Sequence, residues 1–162
     1  MAEDKFPMTP ACLKRLRREL KRIREHERPQ NVSDIEVALS HGDLRENAEY
    51  HAAKEKQAEL DARIRYLEYR IGRAQVIDPT TITGNRVMFG ATVTLEDVEN
   101  DQEVVYCLVG EDESDADQGK ISIAAPIARA MIGKEVGDEI VVQLPRGSRE
   151  YEVIKIEYKA ID

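Results

Sequence analysis

Two patterns of hydrophobic placement divide the chain. In the first, apolar residues recur at Leu13, Leu16, Leu20 and Ile23, at spacings of three, four and three. Side chains three and four apart share one helical face, so this is a coiled-coil seam. Met8-Thr9-Pro10 marks the start. Thr9 suits a cap, and Pro10 suits the first helical position, where its missing N–H would be unpaired anyway. Pro29 interrupts the stripe, which resumes in a shifted register at Val32, Ile35 and Leu39. No glycine or turn cluster accompanies the proline, so a kink with continuation is expected rather than an end. His41-Gly42-Asp43 is the turn, with Gly42 supplying the backbone freedom that closes the first helix. A cleaner seam comes next, at Tyr50, Ala53, Gln57, Leu60, Ile64, Leu67, Ile71 and Ala74. Such a regular seam needs a partner helix, and the first helix is the available one. Each helix should run roughly 30 residues, about 45 Å at 1.5 Å per residue. The expected element is an antiparallel coiled-coil hairpin that projects as a rod, with residues 41–47 at its tip.

Asp78-Pro79 ends the helical pattern, and the spacing then changes to that of strands. Val87–Phe89, Ala91–Leu95, Val104–Val109, Ile121–Ile123, Ile140–Val142 and Tyr151–Tyr158 are β-rich runs separated by Gly, Asn and Asp clusters. Between them Pro126 to Gly133 has the proline start and glycine stop of a short helix. The expected fold class is α+β, with a helical hairpin over residues 1–79 and a small antiparallel sheet carrying one helix over residues 80–162. Residues 1–7 read as a polar lead-in, and the acidic run Glu111–Asp117 as a solvated loop.

Composition narrows the function classes. The chain has 162 residues, 41% hydrophobic and 35% charged, with no Trp. Aromatics are only 5%, which argues against base-stacking platforms. No run of about 18 apolar residues exists, so no membrane span or membrane partner is expected, and a cytoplasmic location is. Cys12 and Cys107 form no metal-binding or redox pair motif, and His26, His41 and His51 lack zinc-ligand spacing. The net charge of −8 is uneven. Residues 1–80 hold 16 Lys and Arg against 15 Asp and Glu, whereas residues 81–162 hold 8 against 17. Phosphate contacts dominate nucleic-acid affinity, so any such contact belongs to the N-terminal half, acting with a partner.

The chemistry gathers at the tip, where Asp43, Glu46 and Glu49 stand three residues apart. Asp43-Leu44-Arg45-Glu46 fits a capping box, an N-cap side chain with a Glu at N3, and acids suit the positive end of a helix dipole. A cap, however, does not need a long rod to carry it outward. Two carboxylates on an exposed turn are too few to hold Mg²⁺ tightly, since that ion wants six oxygens, but they suit an ion shared with another protein's carboxylates. A shared Mg²⁺ can orient water and a phosphodiester for in-line attack.

The stretch His41-Gly42-Asp43-Leu44-Arg45-Glu46-Asn47-Ala48-Glu49-Tyr50-His51-Ala52-Ala53-Lys54-Glu55 resembles the tip signature of the bacterial transcript cleavage factors, the Gre family of transcription elongation factors. The resemblance extends through Ala74–Pro79, Phe89–Leu95, Ile121–Ile123, Pro126–Ala130 and Ile132–Asp138, nearly the whole chain. It implies a hairpin that enters the secondary channel of bacterial RNA polymerase. It also implies a C-terminal domain similar to the FK506-binding-protein (FKBP-like) fold, docked on the channel rim through Pro126 and Ile127. Asp43 and Glu46 would help hold a second Mg²⁺ and an attacking water while polymerase hydrolyses the backtracked nascent RNA 3′ end. The factor itself would be no nuclease, would bind no metal tightly alone and would take no small-molecule substrate. Asn47 and Tyr50 match the motif and would brace the tip, and Lys54 matches a basic position that meets RNA. The basic stripe from Lys14 to Arg28, including Arg18 and Arg22, reads either as solvated helix faces or as an RNA- or polymerase-facing surface. Two departures stand out. Leu39 replaces a basic residue common two before the tip histidine, and Ala124-Ala125 replaces a polar-Ser pair before Pro126.

Three other classes compete. A channel-binding regulator that does not stimulate cleavage can lack the acid pair or turn it away, and here the pair is intact. A prolyl isomerase needs an aromatic pocket, and residues 81–162 offer only Phe89, Tyr106, Tyr151 and Tyr158. A structural coiled-coil adaptor leaves the acidic tip unexplained.

Overall fold

The structure, a computed structural model, describes residues 4–42 and 47–162. The chain forms two compact units, one of Leu13–Arg73 and one of Met1–Cys12 with Ala74–Asp162. The sequence pattern puts the boundary after residue 79; the contacts instead group residues 1–12 and 74–79 with the β-rich half. The cause is a short parallel ladder between β1 (Phe6–Met8) and β2 (Ala74–Val76). Neither strand has a local signature, because three residues are too few to show a period. Phe6–Met8 is therefore no loose lead-in, and the second helix stops before Ala74 rather than at Asp78.

In the helical unit, α1 (Pro10–Arg22) passes through a π-helical turn (Ile23–Glu27) into α2 (Arg28–Leu39). Thr9 caps α1 by accepting from the Cys12 N–H at 3.2 Å, as the sequence suggested. The kink expected at Pro29 takes the form of that π turn. The Arg28 N–H donates to the Ile23 carbonyl five residues back, which leaves Pro29, with no N–H to give, inside the first turn of α2. A π turn holds more residues than an α turn, so the face beyond it is rotated. The stripe expected at Val32, Ile35 and Leu39 is displaced to Asn31, Ile35 and Ala38, and Val32 and Leu39 face solvent.

The facing helix α3 (Ala48–Gly72) keeps its expected seam, with Leu60, Ile64 and Leu67 buried and Tyr50, Ala53 and Gln57 half-buried. Arg63 donates to Glu19 through Nε and Nη2 at 3.0 and 2.8 Å, and Arg24 pairs with Glu68. These cross-helix pairs are largely exposed, so each contributes little, and the buried Leu and Ile side chains hold the pair.

The β-rich unit holds a five-stranded sheet in the order β5-β4-β3-β7-β6. Its strands are β3 (Thr92–Asp97), β4 (Glu103–Val109), β5 (Lys120–Ser122), β6 (Glu139–Leu144) and β7 (Gly147–Glu157). All pairings are antiparallel except β4 with β5, which is parallel. Val93 and Leu95 of β3 and Val153 of β7 point inward to Met131 and Ala128 of α4 (Pro126–Met131), the short helix the sequence announced. Val87–Phe89, expected as a strand, lies in none of these. Its backbone is satisfied elsewhere: Val87 N–H donates to Lys134 O at 2.8 Å, and Met88 N–H to the Tyr158 hydroxyl at 3.0 Å.

The outer face of the sheet carries a row of like charges. Glu103 faces Glu96, Glu96 faces Glu152, and Glu152 faces Glu139 across successive strands. Like charges directly opposite destabilise a sheet by roughly 0.2–1 kcal/mol per pair. Glu152→Lys should therefore raise the urea midpoint of the protein, and raise it most at low salt. A lowered midpoint would show that the row is compensated in place.

The acidic run Glu111–Asp117 is not simply solvated. Glu113 is only 4% exposed, and the Thr9 hydroxyl donates to its carboxylate, 2.7 and 2.8 Å from the two oxygens. That bond ties the start of α1 to the loop after β4.

Candidate functional site

The tip is built from the ends of α2 and α3. After Leu39 the chain turns through Ser40, His41 and Gly42, whose φ of +95° is a left-handed conformation suited to glycine. Asp43 and Glu46 lie outside the described residues. The helix α3 starts at Ala48, two residues after Glu46. Asn47 is the N-cap of α3: its Oδ1 accepts from the Tyr50 N–H at 3.0 Å. Its Nδ2 donates to Ala38 O at 2.7 Å, across to α2. The expected bracing role of Asn47 thus has a geometry, a cap and a cross-helix tie in one side chain.

The helix α3 begins at Ala48 with Asn47 as its cap, and the capping box read at Asp43 and Glu46 falls on residues outside the described ones. The third tip acid, Glu49, is engaged: its Oε2 lies 3.5 Å from His41 Nε2, an exposed pair bridging the two sides of the turn. Tyr50 is half-buried, with its ring edge-on to His51 at a centroid distance of 5.7 Å. Asn47→Ala removes both amide bonds and should cost about 1–2 kcal/mol of hairpin stability. Denaturant unfolding would measure this, and a wild-type midpoint would mean the amide is not the cap.

The basic candidates do not cluster. Lys54 is exposed on α3 and donates to Gln57 Oε1 at 2.8 Å, one turn along the same helix. Arg18 and Arg22 are exposed on α1, before the π turn. Arg22 is 3.4 Å from Glu27 Oε2. From Arg22 to the end of α2 is roughly 25 Å of helix at 1.5 Å per residue, so Arg18 and Arg22 belong to the far end of the arm. In the other unit, Pro126 is exposed at the first position of α4, while Ile127 is half-buried and packs against the core. Only part of Ile127 is therefore offered outward. Among the described residues, no three His, Cys, Asp or Glu side chains converge as a metal cluster, and no helix is long and apolar enough to cross a membrane.

Sequence reasoning passed over Asn47 as the cap, although Asn is a favoured N-cap residue and stands directly before a helical run. It passed over Asn31 altogether, because a polar residue just after a proline-containing turn carries no local signal of burial.

Two paired helices joined by a carboxylate-bearing connection form one unit and a five-stranded sheet the other, which defines a two-part protein. Two family models cover nearly all of it: one described as "Transcription elongation factor, N-terminal" matches residues 6–76, and one described as "Transcription elongation factor, GreA/GreB, C-term" matches residues 82–158. The chain belongs to the GreA/GreB family of transcription elongation factors. It is 53% identical over 156 residues to the transcription elongation factor GreA of Hyphomonas neptunium (strain ATCC 15444), covering 96% of this chain and 99% of that protein. It is 51% identical over 160 residues to the GreA of Francisella tularensis subsp. novicida (strain U112), covering 98% and 100%. Among solved structures it is similar to GreA factor homolog 1 (Gfh1) of Thermus thermophilus, at 29% identity, 95% and 99% coverage and a TM-score of 0.44.

Proposed function

We propose that this chain acts in the bacterial cytoplasm on backtracked RNA polymerase, placing Asp43 and Glu46 in the polymerase's active centre to stimulate hydrolysis of the extruded RNA. The helical unit enters the secondary channel, and the β-rich unit docks outside it with Pro126 and the exposed part of Ile127 at the contact. The chain carries no hydrolytic centre of its own. The observation that supports the tip's role is the cap: Asn47 closes α3 at the end of the connection that carries Asp43 and Glu46.

The donor set fits a shared divalent ion. Two carboxylates supply part of the oxygen shell Mg²⁺ requires, and polymerase supplies the rest. When held there, the ion supplies charge stabilisation for the phosphodiester and a site for the attacking water. The chain's own residues do the positioning. Asp43 and Glu46 offer oxygens, Asn47 ties the connection to both helices, and Lys54 stands one and a half turns into α3 as a cation toward RNA. Arg18 and Arg22, far from the tip along the helices, would meet polymerase or the channel mouth rather than the reacting phosphate.

The test is cleavage in a stalled, backtracked elongation complex with Mg²⁺ varied. Added protein should shorten the transcript from its 3′ end at a rate that saturates with the protein, and should shift the Mg²⁺ dependence to lower concentration. Binding with no acceleration at any Mg²⁺ concentration would instead assign the chain to the regulators that occupy the channel without stimulating cleavage.

A further inference from the structure

The distal half of the hairpin places a polar residue where the helical seam calls for an apolar one. Asn31 is 3% exposed. Its Nδ2 donates to Ala53 O at 2.9 Å, across to α3, while its Oδ1 is buried with no hydrogen-bond partner among the described residues. An unpaired buried carbonyl oxygen is unfavourable, and an apolar side chain of similar size would avoid it. Asn31 is therefore not explained as a stabiliser of the seam.

Its surroundings suggest what it does. Toward Gly72 the two helices interlock through large side chains, Ile23 with Leu60, Ile64 and Leu67 buried. Toward the tip they do not. The buried residues of α2 there are Asn31 and Ala38, whereas Val32, Val37 and Leu39 are 44%, 57% and 44% exposed. Large knobs fully seated in holes set the register of a helix pair, but here the larger seam side chains, Ile35 and Tyr50, are only half-buried and hold it less firmly. Two amide-to-carbonyl bonds add to it. One runs from Asn31 on α2 to Ala53 on α3, the other from Asn47 on α3 back to Ala38 on α2. They come from opposite helices and lie about 10 Å apart along the arm at 1.5 Å per residue. Both belong to the same antiparallel register.

We propose that Asn31 is a positioning residue: it locks the register of α2 against α3 and so fixes where the connection carrying Asp43 and Glu46 is presented. The functional part rests on the tip role proposed above; the register does not. A slip of one helical turn moves one helix end by about 5.4 Å, far beyond what a carboxylate ligand tolerates at metal distances of about 2.0–2.1 Å.

The experiment uses the full chain with Asn31→Leu and Asn31→Ala. Ketone-directed spin labels at Glu36 and Glu55, both exposed, leave Cys12 and Cys107 in place. The unsubstituted chain should show one narrow inter-label distance. Both variants should add a second population displaced by about one turn. Asn31→Leu should also unfold at a higher temperature, since its burial leaves no orphan oxygen. With polymerase, both should lower the cleavage rate at saturating protein by about ten-fold or more, while the half-saturating concentration stays within about two-fold. A single wild-type distance in both variants overturns the register lock. Shifted distances with full cleavage overturn the link from register to tip. If the unsubstituted chain fails to stimulate cleavage, the tip role falls and the distances alone judge the register.

Discussion

Replacing both Asp43 and Glu46 with alanine should abolish stimulated transcript cleavage and leave polymerase binding intact. The expected loss in cleavage rate at saturating protein is on the order of 10²-fold or more, since metal-site partners are worth about that much even when they lie outside the first coordination shell. A loss in maximal rate with unchanged half-saturation identifies groups that act in the reaction and not in docking. The structure adds a control. Because Asn47 caps α3, the double variant should retain the thermal midpoint of the parent within the scatter of ordinary surface changes, about 0.5 kcal/mol. Were Asp43 the cap, its loss alone would cost about 0.5–2 kcal/mol. Undiminished cleavage by the double variant sinks the proposed function. A marked fall in stability would return the acids to a structural role.

Gly110→Ala dislodges the N-terminal strand. Gly110 has an ordinary negative φ, so conformation alone does not require glycine there. Space does: a Cβ at this position would lie 2.2 Å from the Pro7 carbonyl oxygen. Backbone cannot yield locally at that distance, so Phe6–Met8 must move away from the loop after β4. Several contacts then go together. Met8 loses its burial, the β1–β2 ladder opens, and Thr9 is drawn away from the Glu113 carboxylate while it also caps α1. The expected cost is about 3 kcal/mol, the upper end for overpacking. Denaturant unfolding measures it, and amide exchange should show protection lost at Phe6–Met8 and Ala74–Val76 first. Wild-type stability and exchange would mean the N-terminal strand does not depend on this contact.

The hairpin was legible because its information is local. Leu60, Ile64 and Leu67 repeat at helical spacing, and the structure buries all three. The same is true of Thr9 and Pro10 at the start of α1, and of the proline-led α4. The strands of the large sheet were legible as runs, but not their order or the parallel pairing of β4 with β5. Where the sequence misled, either a distant partner outweighed a local preference or a local irregularity rotated it. Glu113 sits in an acidic stretch that reads as solvated, yet the Thr9 hydroxyl, far away along the chain, donates to it in the interior. Val32 and Leu39 match a helical stripe, yet the π turn ahead of them rotates the stripe outward.

The amino-acid order settled unaided the two-part plan, the helical seam and the presence of carboxylates between two helices. Each of these depends on neighbours within about four residues, where side-chain spacing and backbone preference act directly. Two matters were decided only in the folded chain: how the N-terminal strand is captured, and how α2 registers against α3. Each depends on a hydrogen bond or a close approach between segments remote along the chain, and the energy of such a contact exists only once the segments have been brought together.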